Sequence, residues 1–567
     1  MNEKSPYIKK LPKQDHIIPE ISDWPLHKLY QNRESFVNDI NRQSIQKFDQ
    51  LSSEDMKKSI ERTIYQERQR MNRKPWKVDP PNEKAFWKRI TQELEASSKL
   101  EEVEHQKEVY KELLSRIINR YSEEIAGDFN EKTFLFARKF LTFFFGRLLN
   151  TAASKGIPRI FGTKHRLQKS LPISGEIEHT RKLFGKGVVV LVPTHSSNLD
   201  SILIGYVLDF MVGLPAFHYG AGLNLYNAEV AAYFMNRLGA YRLDRRKKNS
   251  IYMHTLKTMS SLSIQKGVNT IFFPGGTRSR SGHIEQQLKL GLLSTCVDAQ
   301  RKLLEAGSNK KVFVVPVVLN YHFVLEAKYL IDEHLRRKGK EKYIRSSDNS
   351  NSWTNKLSFI YKLFATDSEV LTSFGPPTDV FGNEVNTDGE SVDSNGNVLD
   401  LEEYFMRDNE IIKDEQRESV YTKFLGEKIA KSFKQSKVVL SSELVAFVGF
   451  RLLQQTFPNT ELFAIFRSST DDFKISWDRF MHAFQEVYNQ IIRLAQEGEI
   501  QVQKEFDNEL EAIAKEGFQK LDSYHADKPL FIKKGFIYSS DFKLLYYYHN
   551  RLDIYDLKLS QDSNSEV

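Results

Sequence analysis

Residues 187 to 201 read GVVVLVPTHSSNLDS. Four valines and a leucine in unbroken succession between Gly187 and Pro193 predict a short strand buried on both faces, the pattern of a sheet with helices on either side. The stretch from Thr194 onward is unlike a buried strand: within seven residues the chain offers an imidazole, hydroxyls, an amide and a carboxylate. One reading is a helix start, because Ser, Asn and Asp satisfy the orphan backbone N–H groups of a first turn. The other is a base and its orienting acid, since a neutral imidazole accepts a proton from a hydroxyl when a carboxylate holds its second nitrogen. His195 and Asp200 have the spacing to meet across the first turn of the next helix, and the residues alone leave both readings open.

Two further strand-like runs end in the same way. NTIFFP (269–274) leads into GGTRSRSG, and KVFVVPVVLNY (311–321) leads to His322 and Glu326, with helical stretches between the runs. This is the texture of an α/β domain, in which ligands sit outside the carboxyl ends of the strands. In FFPGGTRSRSG the Gly275-Gly276 turn is followed by Arg278 and Arg280, with hydroxyls at Thr277, Ser279 and Ser281. Exposed backbone N–H groups and two guanidinium forks suit a phosphate or phosphate ester, while a surface loop with solvated arginines is the plainer alternative. No Gly-Lys-Ser/Thr follows for a nucleotide P-loop, and the chain offers no Gly-x-Ser-x-Gly for an esterase. RLGAYRLDRRKK (237–248) adds Arg245 and Arg246, either to the same pocket or to a solvated face.

The 567 residues suggest three or four domains, as a length prior of roughly 150 residues each. Apolar residues at 40% and charged residues at 28% fit a globular protein, and a net charge of +8 favours an anionic partner. A single cysteine, Cys296, cannot form an internal disulfide, and no apolar leader follows Met1, so a reducing, cytoplasmic setting is expected. Nucleic acid is disfavoured, because no basic repeat with interleaved aromatics occurs. No run of about 20 apolar residues is free of interruption. FLFARKFLTFFFGRLL (134–149) is aromatic and basic, with Arg138, Lys139 and Arg147, and reads either as a helix lying in a lipid interface or as one packed on its own domain.

The expected organisation is a polar helical region over 1–125, an α/β domain over 126–409, a helical region over 410–559 and a disordered tail over 560–567. Within the α/β domain a loop-rich insert spans 381–405. There Ser391, Asp393, Asn395, Gly396 and Glu402 fall at EF-hand spacing, but the first ligand position lacks Asp, and consecutive tight turns account for the Asp-Gly and Asn-Gly pairs without an ion. No metal site is expected.

Taken in order, the motifs resemble the four blocks of the glycerolipid acyltransferase family. They are His-x4-Asp from 195, Gly-x3-Leu-Asp-Arg from 239, Phe-Pro-x-Gly-Thr-Arg-Ser from 273 and Val-Pro-Val from 315. The resemblance spans about residues 180 to 330. It implies a mixed β-sheet flanked by helices, and transfer of a fatty acyl group from coenzyme A or acyl carrier protein to a glycerol phosphate hydroxyl, with no bound cofactor. By the same resemblance His195 is the general base and Asp200 its partner, while Gly239, Asp244 and Arg245 form an acceptor-binding block. Arg278 and Arg280, together with Arg245 and Lys289, are assigned to the acceptor phosphate. Gly275, Gly276, Thr277 and Ser279 belong to the third motif, and Pro316 to the fourth. One departure stands out: most members carry Glu where this chain has Gly275, although plastid-type enzymes also lack that acid.

The acceptor is expected to be glycerol-3-phosphate, with 1-acylglycerol-3-phosphate as the alternative. Leu243-Asp244-Arg245 and Gly-Thr-Arg-Ser look more like the lysophosphatidate enzymes. KLGLL, VPVVLNYHFVLEA, SSELVAFVGFRLL and LLYYYHNRL are similar to the larger glycerol-3-phosphate and dihydroxyacetone-phosphate acyltransferases. The implied setting is peripheral, on the cytoplasmic face of a membrane. A lipid-binding scaffold that kept the fold without the chemistry is the competing class.

Overall fold

The valine run is a central strand of a seven-stranded sheet among the described residues of a computed structural model. The structure describes residues 6–73, 76, 78–98, 101–152, 168–223, 229–338, 369–523 and 525–560, with the side chains of 144–152 and 229–231 outside that description. The strands are β1 (Ile173–Gly175), β2 (Gly187–Pro193), β3 (His218–Gly222), β4 (Ala240–Leu243), β5 (Thr270–Ile271), β6 (Lys311–Tyr321) and β7 (Val370–Phe374), in the order β1-β7-β6-β2-β5-β3-β4. β7 runs antiparallel to β6, and every other neighbouring pair is parallel, so the sheet is mixed as expected.

β2 is buried on both faces because alternate side chains enter different cores. Val189 and Leu191 join a cluster with Val315, Val317 and the C-terminal helices, including Leu444, Phe447, Phe484 and Leu545. Val188, Val190 and Val192 face Leu293, Val297, Leu425 and Ile429 on the helices Leu290–Glu305 and Glu415–Ser436. That explains a run without polar alternation: neither face meets water. Helix Ser441–Thr456 is likewise apolar on nearly all sides, as a helix enclosed by others must be.

The N-terminal helices obey the amphipathic rule. Val103–Ile125 buries Tyr110, Leu113, Leu114, Ile117, Ile118, Tyr121 and Ile125, a stripe at three- and four-residue spacing. It packs with Arg33–Asp49 and Ser53–Asn72, and its core continues into Ile251, Tyr252, Leu256 and Met259 of helix Ser250–Gln265 and Tyr241 of β4. The polar N-terminal region is therefore built onto the sheet's β4 side.

Helix Glu131–Ala152 turns two faces to different surroundings. Phe134 meets Trp24 edge-on at 5.0 Å, and Arg138 points inward to Asp209 at 2.5 Å, so neither faces outward as a purely interfacial helix would have them. Thr142 is 3.0 Å from the Tyr206 hydroxyl on helix Asp200–Val207. Phe136, Phe140 and Phe143 are instead 58%, 50% and 66% exposed on the outer side, and Lys139 is exposed with them. The side chain of Arg147 lies outside the described residues. No described helix is long and apolar enough to cross a membrane.

A repeat with a period of seven, which the motif reading missed, begins just before the insert and runs into it. Asp379, Asn386 and Asp393 each open a turn closed by a glycine three residues on, at Gly382, Gly389 and Gly396, all in the left-handed region. In each, the side-chain oxygen accepts from the backbone N–H two and four residues later. Asx turns of this kind hold the chain without a ligand. Asp393 is occupied by Asn395 and Asn397, and among the described residues no group of three or more His, Cys, Asp or Glu is arranged to hold a metal.

Candidate active site

β2, β4, β5 and β6 are mutually parallel, so their carboxyl ends open on one edge of the sheet. His195 stands two residues past β2, where Thr194 N–H still bonds the Val317 carbonyl of β6 at 2.9 Å. Its ring stacks on Phe273 at 4.4 Å and is mostly covered.

Asp200 answers both sequence readings at once. It is the first residue of helix Asp200–Val207 and is fully buried. Its Oδ2 accepts from His195 Nδ1 at 2.8 Å, Ser196 N–H at 2.7 Å and Ser197 N–H at 2.9 Å, while Oδ1 accepts from the Tyr321 hydroxyl at 2.6 Å. With the carboxylate as acceptor, Nδ1 carries the proton and Nε2 keeps its lone pair. The same oxygen therefore folds the turn and orients the imidazole. Tyr321 closes β6; burial, and then the neighbouring Asp200 charge, push its phenol well above the ordinary value, so it remains a donor.

Glu326, past the end of β6, brings a second buried carboxylate to the turn. It accepts from Ser197 Oγ at 2.9 Å and Asn198 N–H at 3.0 Å, and Arg278 Nη1 approaches to 3.3 Å. Burial raises its pKa, and the Arg278 charge opposes that rise. Glu326 thus joins the His195 turn to the arginine loop. Its sequence neighbour His322 does not reach the site: it is buried, with Nδ1 3.0 Å from Ser442 Oγ on a C-terminal helix.

The loop after β5 crosses the His195 turn. Gly276, at φ +72, makes its tight bend, with the Gly276 N–H bonded to the Phe273 carbonyl at 3.0 Å. Ser279 N–H donates to the His195 carbonyl at 2.7 Å, and the Ser279 hydroxyl to the His283 carbonyl at 2.7 Å. Arg280 bonds Glu333 through Nε at 3.0 Å and Thr277 through Nη1 at 3.2 Å. Arg278 and Arg280 are thus each already beside one carboxylate. Arg245, exposed past β4, has its pKa lowered by the protein around it and then by the charges of Arg280 and Arg278. Arg245 thus lies close enough to Arg278 and Arg280 to feel the charge of both. Lys289 is exposed, beside Gly276, and its N–H bonds the Pro274 carbonyl at 2.7 Å.

The remaining motif residues do not converge on His195. Asp244 is spent on Arg246, whose Nε it meets at 2.9 Å and Nη2 at 2.8 Å, and Arg246 lies 4.0 Å over Trp76. Gly239 sits at the amino end of β4, opposite the site, at φ +83 and packed against Leu26. Pro316 is paired with Val192 inside the sheet. Sequence reasoning missed Tyr321, the binding role of Glu326, Phe273 and Glu285, all of which reach the His195 turn from distant parts of the chain.

Residues 172–320 match the family model described as Acyltransferase, and the sheet and the His195 turn lie largely within that match. Curated relatives that align with the chain include several named glycerol-3-phosphate acyltransferase. That of Alteromonas mediterranea is 29% identical over 215 residues, covering 38% of this chain and 23% of the relative. That of Aeromonas hydrophila subsp. hydrophila is 28% identical over 268 residues, covering 47% and 30%. The Haemophilus ducreyi protein is 33% identical over 167 residues, covering 29% and 20%. These alignments span no more than 30% of the relatives' own lengths. A solved 1-acyl-sn-glycerophosphate acyltransferase from Thermotoga maritima is 18% identical, covering 44% of this chain and 83% of that one, with a TM-score of 0.20.

Proposed function

We propose that the protein moves a fatty acyl group from an acyl thioester, on coenzyme A or acyl carrier protein, to a hydroxyl of glycerol-3-phosphate. The observation that carries this reading is the His195–Asp200–Tyr321 chain beside a group of three arginines. His195 Nε2 takes the proton of the glycerol hydroxyl as its oxygen bonds to the thioester carbonyl carbon. The tetrahedral oxyanion then collapses, the carbon–sulfur bond breaks, and the leaving thiolate takes the proton back from the imidazolium. No acyl-enzyme forms. General-base help of this kind contributes roughly 10²- to 10⁴-fold, with positioning of the acceptor supplying much of the rest.

The phosphate is placed by Arg278, Arg280 and Arg245, with Lys289 at the edge. Guanidinium forks suit a phosphate monoester, and the Arg278–Glu326 approach links its binding to the turn that carries His195. The acyl chain and its product belong in a bilayer. The exposed Phe136, Phe140 and Phe143 lie on a helix that packs directly on helix Asp200–Val207, which supports peripheral docking at the cytoplasmic leaflet with the site held near the lipid.

The test is an acyl-transfer assay on the purified chain with vesicles, crossing glycerol-3-phosphate and 1-acylglycerol-3-phosphate with acyl-coenzyme A and acyl carrier protein. Preferred acylation of glycerol-3-phosphate supports the proposal. Preference for the lysophosphatidate moves the acceptor assignment, and no transfer with any pair leaves a lipid-binding scaffold.

A further inference from the structure

Glu285 closes the loop that β5 sends over the site. Its Oε1 accepts the His195 backbone N–H at 2.9 Å, while Ser279 N–H holds the His195 carbonyl at 2.7 Å. Residues 279 to 285 therefore fix the backbone of His195 on both sides, as Asp200 fixes its ring. Across from Glu285 lies Gly275. A Cβ added at Gly275 would stand 2.9 Å from Glu285 Cγ and 3.2 Å from Oε1. Gly275 is not among the glycines with positive φ, so its dihedral does not require glycine; a side chain there would instead press on Glu285 and shift it. A side chain at position 275 therefore competes with the Glu285 carboxylate for one space.

We infer that Glu285 is a positioning residue for His195, supplying from ten residues along the chain the carboxylate that Gly275 does not carry. The inference rests on His195 acting as the base. Burial pushes the Glu285 carboxyl up to about 7, and in either protonation state one oxygen remains to accept the His195 N–H. An amide oxygen does the same, so the contact is one of position rather than of net charge.

The experiment compares Glu285→Ala, Glu285→Gln, Gly275→Glu and the double variant Gly275→Glu/Glu285→Ala, each checked for folding by thermal melting. Glu285→Ala lowers kcat about 10-fold, the scale of one lost hydrogen bond, with acceptor KM nearly unmoved. Glu285→Gln stays within about 3-fold of wild type, because its oxygen replaces the acceptor. Gly275→Glu alone is impaired by the clash, and the double variant recovers most of the kcat lost by Glu285→Ala. Wild-type kcat in Glu285→Ala, or a double variant no better than that single one, overturns the inference. Where Glu285→Ala does not fold, Gly275→Ala replaces it: reduced kcat with unchanged KM supports the contact, and full activity refutes it. Hydrogen exchange of the peptide carrying His195 gives a readout independent of turnover. Protection of its amide in wild type and Glu285→Gln, and loss of protection in Glu285→Ala, supports the contact; equal protection in all three refutes it. Absence of transfer in wild type counts against the proposed function, while the exchange result still decides the role of Glu285.

Discussion

Replacing Asp200 by Asn separates the two duties its carboxylate performs. Oδ2 faces three donors, His195 Nδ1, Ser196 N–H and Ser197 N–H, whereas Oδ1 faces only the Tyr321 hydroxyl. An amide nitrogen placed toward the turn would oppose two fixed backbone N–H groups. Placed toward Tyr321 it meets a hydroxyl that can rotate and accept. The amide oxygen therefore occupies the Oδ2 position, the turn survives, and His195 keeps its proton on Nδ1. What disappears is the negative charge beside the imidazolium formed as the hydroxyl is deprotonated. Hydrogen bonds to charged groups are worth about 1.5–3 kcal/mol, so Asp200→Asn should lower kcat by roughly 10- to 150-fold with little change in melting temperature. The assay is steady-state acyl transfer alongside thermal unfolding. A loss near the roughly 10⁴-fold seen when the same change gives the wrong tautomer in a serine protease triad would refute this argument about amide orientation. Unchanged kcat would reduce Asp200 to the start of a helix.

Three other outcomes rest on the same geometry. Arg278→Ala should cut kcat/KM for the acceptor by about 10- to 150-fold through lost charge-assisted bonds, with the KM for the acyl donor moving much less; the reverse pattern would assign the arginine loop to the donor. For pH, the folded Glu285 carboxyl at about 7 lies above its ordinary 4.5, so the native state holds a proton that the unfolded chain has lost between those values. Stability from this group therefore falls as pH rises from about 4.5 to 7, and comparing melting curves should show Glu285→Gln gaining on wild type across that window; parallel curves would contradict it. Replacing Phe136, Phe140 and Phe143 together by Ser should weaken flotation with anionic vesicles by an order of magnitude or more while the fold persists, and unchanged flotation would remove this face from the membrane account.

The parts of the structure that derive from local chemistry were legible in the sequence. The valine run is an inner strand because both its faces are covered, and His195 and Asp200 are adjacent because one turn of chain joins them. Contacts made by separate segments left no such trace. Tyr321 reaches Asp200 from 121 positions away, and Glu285 reaches His195 from 90. The acid missing at Gly275 was visible as a gap; that Glu285 fills the space is visible only once the loop is folded. Motif membership also overstated proximity, since Gly239 serves a left-handed turn against Leu26, and Asp244 anchors Arg246. His322 comes just after a strand as His195 does, yet β6 delivers it into the C-terminal helices.

In the proposed reaction His195 is the base for acyl transfer to a glycerol phosphate. The most direct test of that role is the initial rate of labelled acyl transfer from acyl-coenzyme A to glycerol-3-phosphate, in the presence of vesicles, by wild type and by His195→Ala of equal melting temperature. The expected result is a loss of at least about 10²-fold in kcat with acceptor KM close to wild type. A His195→Ala protein that turns over at the wild-type rate would contradict it.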